Sequence, residues 1–214
     1  MKIQNQQIAD RVAEFLLECE AVKLNAGNPF SWSSGWKSPI YTDNRVTLSF
    51  PIVRTFVKNE LVSLISEQFP AVEAIAGVAT GGIAQGALVS DKLDLGFLYV
   101  RAESKGHGLQ NQIEGRLVKG QKIVVVEDLI STGKSSLSAV NALREAGADV
   151  LGMVSVFTYG FHEAELAFSD AGIPCFSLSD YPSLVTIALR QGLISDSDLP
   201  LLISWRKNPA QWGK

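Results

Sequence analysis

The feature that most restricts the fold is a set of short apolar runs that do not alternate with polar residues. They are "AIAGVA" (74–79), "GFLYV" (96–100), "IVVVE" (123–127), "VLGMVSVF" (150–157) and "IPCFSL" (173–178). A strand with one face in water carries a polar residue at every second position, whereas these runs are apolar on both faces. Helical segments stand between them, starting near Gly82, Gly133 and Phe161. Strands covered on both sides and separated by helices predict an α/β fold with a mostly parallel central sheet flanked by helices.

A chain of 214 residues, 46% hydrophobic and 19% charged, is long and apolar enough for one globular domain with a full core. No repeat, low-complexity tract or linker divides it, so residues 1–214 are read as one domain. Residues 1–50 form an N-terminal helix and an irregular segment, and 51–214 form the α/β core and C-terminal helices. Ile8, Val12, Phe15, Leu16 and Cys19 fall on one helical face, with Gly27 just beyond that helix. The segment "GNPFSWSSGWKSPIYTDNR" (27–45) is irregular and carries two tryptophans. A second helix is expected after Ser49 as N-cap, with Pro51 in its first turn and Val53, Val57, Leu61 and Leu64 among its apolar positions. Past Ser179 a helix capped by Asp180, with Pro182 in its first turn, leads into "DLPLLISW".

The formal charge of −3 leaves no positive excess for nucleic acid or an anionic membrane, so a bound anion must be met by local groups. The N-terminus has no apolar signal core, and no apolar run approaches bilayer length, which predicts a cytoplasmic protein with no membrane partner. Cys19 and Cys175 sit inside apolar periodic stretches and read as buried free thiols. With His107 and His162 as the two histidines, zinc-type ligand spacing is absent.

The stretch "KIVVVEDLISTGKSS" (122–136) concentrates the chemistry. Its Gly-Lys-Ser ending suggests a nucleotide P-loop, but that pattern needs glycine where Asp128 stands. Ser131, Thr132, Gly133, Lys134 and Ser135 instead offer amides, hydroxyls and a helix N-terminus, an anion site that needs no net charge. Glu127 and Asp128, about one sugar's width away, are acceptors for hydroxyl donors. Phosphate at one end and vicinal hydroxyls at the other describe a ribose 5-phosphate. In "GVATGGIAQGA" (77–87), Thr80, Gly81 and Gly82 open a helix with exposed amides, suited to a pyrophosphate. "YVRAESKGHGLQNQIEG" (99–115) far exceeds the typical ~4–6 residues of a loop. Arg101, Lys105 and His107 on this glycine-rich loop suit a lid that closes over an anion.

These residues carry a resemblance. "VVVEDLISTGKSS" resembles the phosphoribosyl pyrophosphate motif of type I phosphoribosyltransferases: apolar run, two acids, two apolar residues, then a Ser/Thr/Gly turn. The R-x-x-x-K-x-H-G loop and "NQIEG" are similar to the catalytic loop of the orotate-using bacterial branch, and "PFSWSSGWKSPIYTDNR" to its orotate-binding segment. The likeness runs over essentially the whole chain. It implies the type I phosphoribosyltransferase fold with an N-terminal substrate-binding hood. It also implies transfer of phosphoribosyl to N1 of orotate, giving orotidine 5'-monophosphate and pyrophosphate in pyrimidine synthesis. Carried over residue by residue, Lys105, Arg101 and His107 are catalytic and meet the pyrophosphate, with Lys105 foremost. Glu127, Asp128, Leu129, Ile130 and the turn Ser131 to Ser135 hold phosphoribosyl pyrophosphate, and Thr80, Gly81 and Gly82 form the pyrophosphate loop. Ser131, Tyr41 and Lys37 face orotate. The resemblance further implies Mg2+ bound through the substrate rather than directly by the protein, and a homodimer that shares the catalytic loop between subunits.

Some members carry lysines at the positions of Ser33, Gly81 and Ala102, which leaves Lys37 and Arg45 as candidate cations for the orotate carboxylate and the pyrophosphate. Glu127 stands where aspartate is often first of the acidic pair. The rival readings are a purine transferase of the same fold, a phosphoribosyl-pyrophosphate-sensing regulator, and a synthase of that compound. The regulator would want a basic face, and the synthase a longer chain with an ATP site.

Overall fold

The computed structural model describes residues 1–32, 35–102 and 112–212. Seven described strands form one sheet, ordered β1 (Lys2–Ile3), β11 (Cys175–Asp180), β10 (Asp149–Thr158), β9 (Lys122–Ile130), β6 (Ala74–Val78), β7 (Gly96–Val100) and β8 (Ile113–Glu114). Neighbours are parallel except β7 and β8, which pair antiparallel. The five apolar runs are thus five strands of a mostly parallel sheet. Their lack of alternation has the expected cause. On one face Val124 and Val126 pack with Val12 and Leu16 of α1 (Gln6–Glu18), Val57 and Leu61 of α2 (Pro51–Gln68), and Ile187 of α6 (Tyr181–Arg190). On the other face Ile123 and Val125 pack with Val140 and Leu143 of α4 (Lys134–Glu145) and Phe168 of α5 (His162–Asp170).

Helix α3 (Gly81–Leu93) lies almost directly on the strands, because glycine lines the contact. A Cβ at Gly82 would stand 2.5 Å from the Val126 carbonyl oxygen, and one at Gly77 2.7 Å from that of Gly82. Strand β6 leads through α3 to β7 on one side, while β9 leads through α4 to β10 on the other. The strand order therefore reverses between β6 and β9, and their C-terminal ends border a crevice of the kind in which open α/β sheets bind ligands.

Several boundaries differ from the sequence expectation. Helix α1 ends at Glu18, and β2 (Val22–Leu24) intervenes before Gly27, pairing antiparallel with β5 (Ile40–Thr42). Gly27 therefore does not terminate the helix, and a three-residue strand is too short for periodicity to reveal. Ser49 closes a 3₁₀ turn, Asn44–Ser49, and Phe50 is the N-cap of α2, although Pro51 does open the helix. Strand β11 begins at Cys175 rather than Ile173, since Pro174 has no N–H for a ladder. Asp180 caps α6 as expected, accepting from Ser183 N at 2.9 Å.

Residues before the 3₁₀ turn form two small ladders, β2 with β5 and β3 (Phe30–Ser31) with β4 (Lys37–Ser38). Helix α7 (Leu199–Lys207) braces them: buried Trp205 donates through Nε1 to the Lys37 carbonyl at 3.2 Å and meets Trp32 edge-on at 5.6 Å. Cys19 and Cys175 are buried free thiols. No described helix is long and apolar enough to cross a membrane.

Candidate active site

Strand β9 carries the two acids, Glu127 and Asp128, near its C-terminal end, just before its last residues Leu129 and the buried Ile130. Glu127 is 4% exposed, and its carboxylate accepts from Ser136 Oγ at 3.2 Å and from the Asp128 amide at 3.1 Å. Burial, reinforced by the neighbouring Asp128 charge, pushes the Glu127 carboxyl well above its ordinary value. Asp128 points the other way. Its carboxylate lies where a Cβ at Gly81 would fall, against the first residue of α3. Adjacent residues of a strand face opposite sides, so one acid serves the α4 face and the other the α3 face.

Two helix starts converge on these acids. Gly133, at φ +78°, is the N-cap of α4, and Thr80 is the N-cap of α3. No side chain among the described residues caps either helix, so their first-turn amides are available to an anion. The left-handed φ of Gly133 suits glycine, and a Cβ there would approach the Phe168 ring at 2.9 Å. The Ala79–Thr80 peptide is cis. Thr80, Gly81, Gly82 and the turn Ser131 to Ser135 are thus brought to the same crevice from opposite faces of the sheet.

Beside the turn lies a cavity of about 540 Å³. Ser131, Thr132 and Leu129 line its floor, and Ser31, Trp32, Trp36, Tyr41, Thr42 and Tyr159 line the rest. Ser131 and Tyr41 therefore share one cavity, as expected from the sequence. Lys37 does not line it, but its ammonium donates at 2.7 Å to Ser31 Oγ, which does. Arg45 is engaged elsewhere: its Nε and a terminal nitrogen meet the Asp43 carboxylate at 2.7 and 2.9 Å. This fork holds the Asp43 carboxyl below its ordinary value. Apart from Tyr41, the aromatic wall was not singled out residue by residue from the sequence, although the two tryptophans of the irregular segment were its visible signal. Tyr159 follows the β10 run, and its buried hydroxyl donates to Thr42 Oγ1 at 3.0 Å.

The long loop leaves and re-enters through a paired base. Strands β7 and β8 match Tyr99 with Glu114 and Val100 with Ile113, and beyond them the Arg101 amide donates to the Gln112 carbonyl at 2.9 Å. The Arg101 guanidinium is 3.5 Å from Glu114. Lys105 and His107 lie outside the described residues, as does Ser33. Asn44 and Ser136, which touch Asp128 and Glu127 respectively, lie inside the quoted motifs but are assigned no role by them.

Comparison with known proteins identifies the family and the fold. The family model described as "Phosphoribosyl transferase domain" matches residues 52–173. The orotate phosphoribosyltransferase of Bacteroides fragilis is 57% identical over 200 residues, covering 94% of each chain. That of Staphylococcus saprophyticus is 54% identical, covering 94% of this chain and 99% of its own. The solved orotate phosphoribosyltransferase of Aeropyrum pernix superposes with a TM-score of 0.74 at 30% identity, covering 86% of this chain and 99% of that one.

Proposed function

The chain belongs to the phosphoribosyltransferase family and, within it, to the orotate phosphoribosyltransferases, and from that premise we propose how its residues perform the transfer. The enzyme moves 5-phosphoribosyl from phosphoribosyl pyrophosphate to N1 of orotate, releasing orotidine 5'-monophosphate and pyrophosphate. One observation carries the assignment of roles: two uncapped helix starts and two acids meet at the switch point, next to an aromatic cavity. The turn Ser131 to Ser135 takes the 5-phosphate, the amides of Gly81 and Gly82 take the pyrophosphate, and Glu127 and Asp128 take the ribose hydroxyls. The planar orotate ring enters between Tyr41, Trp32 and Tyr159, with the Lys37 ammonium at the rim facing its carboxylate. A purine transferase of the same fold would instead release pyrophosphate with adenine or xanthine in place of orotate.

Breaking the C1–O bond leaves positive charge on the sugar and negative charge on the departing pyrophosphate. Electrostatic stabilisation of both, with water excluded, is therefore the protein's main task. Arg101, Lys105 and His107 neutralise the leaving group, Lys105 foremost. Orotate N1 is already acidic, so no dedicated base is assigned. The carboxylates of Glu127 and Asp128 are hard oxygen donors beside which Mg2+ would be held mainly through the substrate, and it would supply further positive charge to the leaving group.

Residues 1–214 act as one domain in this reading, with residues 1–50 forming the hood. The working unit is a homodimer in which each catalytic loop covers the partner's site. Exposed Phe50 and Ile52, at the junction of the hood and α2, supply apolar surface for such contact. Buried unpaired thiols suit a cytoplasmic location. The assay is loss of orotate absorbance on mixing with phosphoribosyl pyrophosphate and Mg2+, and no loss with orotate would refute the substrate assignment. Mixing a Lys105→Ala subunit with an Asp128→Asn subunit should restore one working site per dimer. No recovery would mean that each site is complete within one chain.

A further inference from the structure

Three residues given no role above are polar yet buried: Asn44 and Thr47 of the 3₁₀ turn and Gln85 of α3, at 1%, 0% and 1% exposure. Their hydrogen bonds run in one direction. Thr47 Oγ1 donates to the Asn44 carbonyl at 2.6 Å and accepts from Gln85 Nε2 at 3.4 Å. Asn44 Nδ2 donates to the main-chain carbonyl of Asp128 at 2.6 Å. The reverse amide orientation would set two carbonyl oxygens against each other, so the donor side of Asn44 must face Asp128. This arrangement leaves Asn44 Oδ1 and Gln85 Oε1 buried without a hydrogen-bond partner among the described residues. An apolar side chain would fill the same space without that penalty.

Sheet register shows what the donor achieves. Strand β6 pairs with β9 only as far as Gly77 opposite Val126, whereas β10 continues alongside β9 to Ile130. Past Val126, one edge of β9 has therefore lost its strand partner at the point where the acids begin. Asn44 supplies a donor there, from a turn that also carries the hood. Gln85 lies in the same helix whose first residue, Gly81, abuts the Asp128 carboxylate. Hood, strand end and pyrophosphate helix are tied through one polar chain.

We infer that Asn44 is a positioning residue that fixes the main chain at Asp128, and with it the direction of the carboxylate offered to the sugar. The inference rests on the transferase reading for the identity of that sugar. Two variants test it. Asn44→Asp keeps the shape and loses the amide donor, and Asn44→Leu removes both polar ends. Either should raise the KM for phosphoribosyl pyrophosphate about three- to tenfold, the yield of one neutral buried hydrogen bond, with the KM for orotate little changed. In an Asp128→Asn background the same substitutions should add nothing further, because the residue they act through is already disabled. Thermal unfolding identifies a variant that fails to fold, in which case the other decides. Equal rises in both KM values, or full additivity with Asp128→Asn, would overturn the inference in favour of a purely structural turn. Binding of phosphoribosyl pyrophosphate alone, followed by calorimetry, separates the two levels. A wild-type chain that binds it without consuming orotate would sink the transferase reading, while the Asn44 comparison would still report on Asp128.

Discussion

Glu127→Gln should make the unliganded protein more stable and the enzyme worse. The carboxylate is 4% exposed, and burial pushes its pKa up from the ordinary value of 4.5. Below 4.5 both folded and unfolded chains hold the proton, and the residue costs nothing. As the pH rises the unfolded chain ionises more readily than the folded one, so stability is lost progressively up to the raised folded value. Glutamine removes this loss and can keep both contacts, accepting from the Asp128 amide and donating to Ser136 Oγ. Each 1 kcal/mol regained reads as about 2–4 °C in the unfolding midpoint of a chain this long. Binding moves the other way. A charge-assisted bond to a ribose hydroxyl is worth about 1.5–3 kcal/mol and a neutral one about 0.5–1.5, so the exchange costs about tenfold in affinity for phosphoribosyl pyrophosphate. Thermal melts of both proteins at pH 4 and pH 8, with kinetics at pH 8, complete the test. A variant less stable than wild type at pH 8, or a stability gap equal at both pH values, would refute the reasoning.

Gly82→Ala should destabilise the fold by about 1–3 kcal/mol and impair pyrophosphate binding, because its Cβ would meet the backbone at Val126. At Gly81 the nearest atoms to an added Cβ belong to the Asp128 side chain, which can move, so a melt should find Gly81→Ala nearly as stable as wild type; equal losses at 81 and 82 would contradict the contact geometry. Trp32→Ala should raise the KM for orotate several-fold while leaving that for phosphoribosyl pyrophosphate nearly unchanged, since Trp32 lines the aromatic cavity. Lys105→Ala should lower turnover about 10²–10³-fold by analogy with loss of an oxyanion donor, and near-normal turnover would remove Lys105 from the leaving group.

How much could be read beforehand depended on how far apart in the chain the partners lie. The crevice was legible because each half is contiguous. A buried strand, its terminal acids or glycines, and the next helix start are consecutive residues in "IVVVEDLISTGKSS" and "GVATGGIAQGA". The hood was legible only as an irregular, tryptophan-bearing stretch. Its strands are two or three residues long, and β2 finds its partner in β5, across the intervening hairpin. The brace under Lys37 comes from Trp205, 168 residues away. Asn44 was hidden for the same reason: a short polar side chain in "YTDNR" reads as a turn residue until Asp128 is placed beside it.

Adjacent acids at a strand end invite the picture of a two-pronged clamp on one face, and the strand's own alternation forbids it. Glu127 belongs to the face of α4, where Ser136 holds it, while Asp128 belongs to the face of α3, where Gly81 leaves it room. Each carboxylate is therefore paired with one helix start, and the two starts are the ones assigned to the two phosphate ends of the substrate. A carboxylate near a helix N-terminus is itself stabilised by the helix dipole. An arriving phosphate competes for the same field and repels the acid beside it. In the proposed reading the ribose hydroxyls, neutral donors, lie between the two, with the sugar across the C-terminal ends of β6 and β9 and a phosphate toward each helix. That arrangement needs the strand order to reverse between β6 and β9, since only there do helices on opposite faces open onto one crevice.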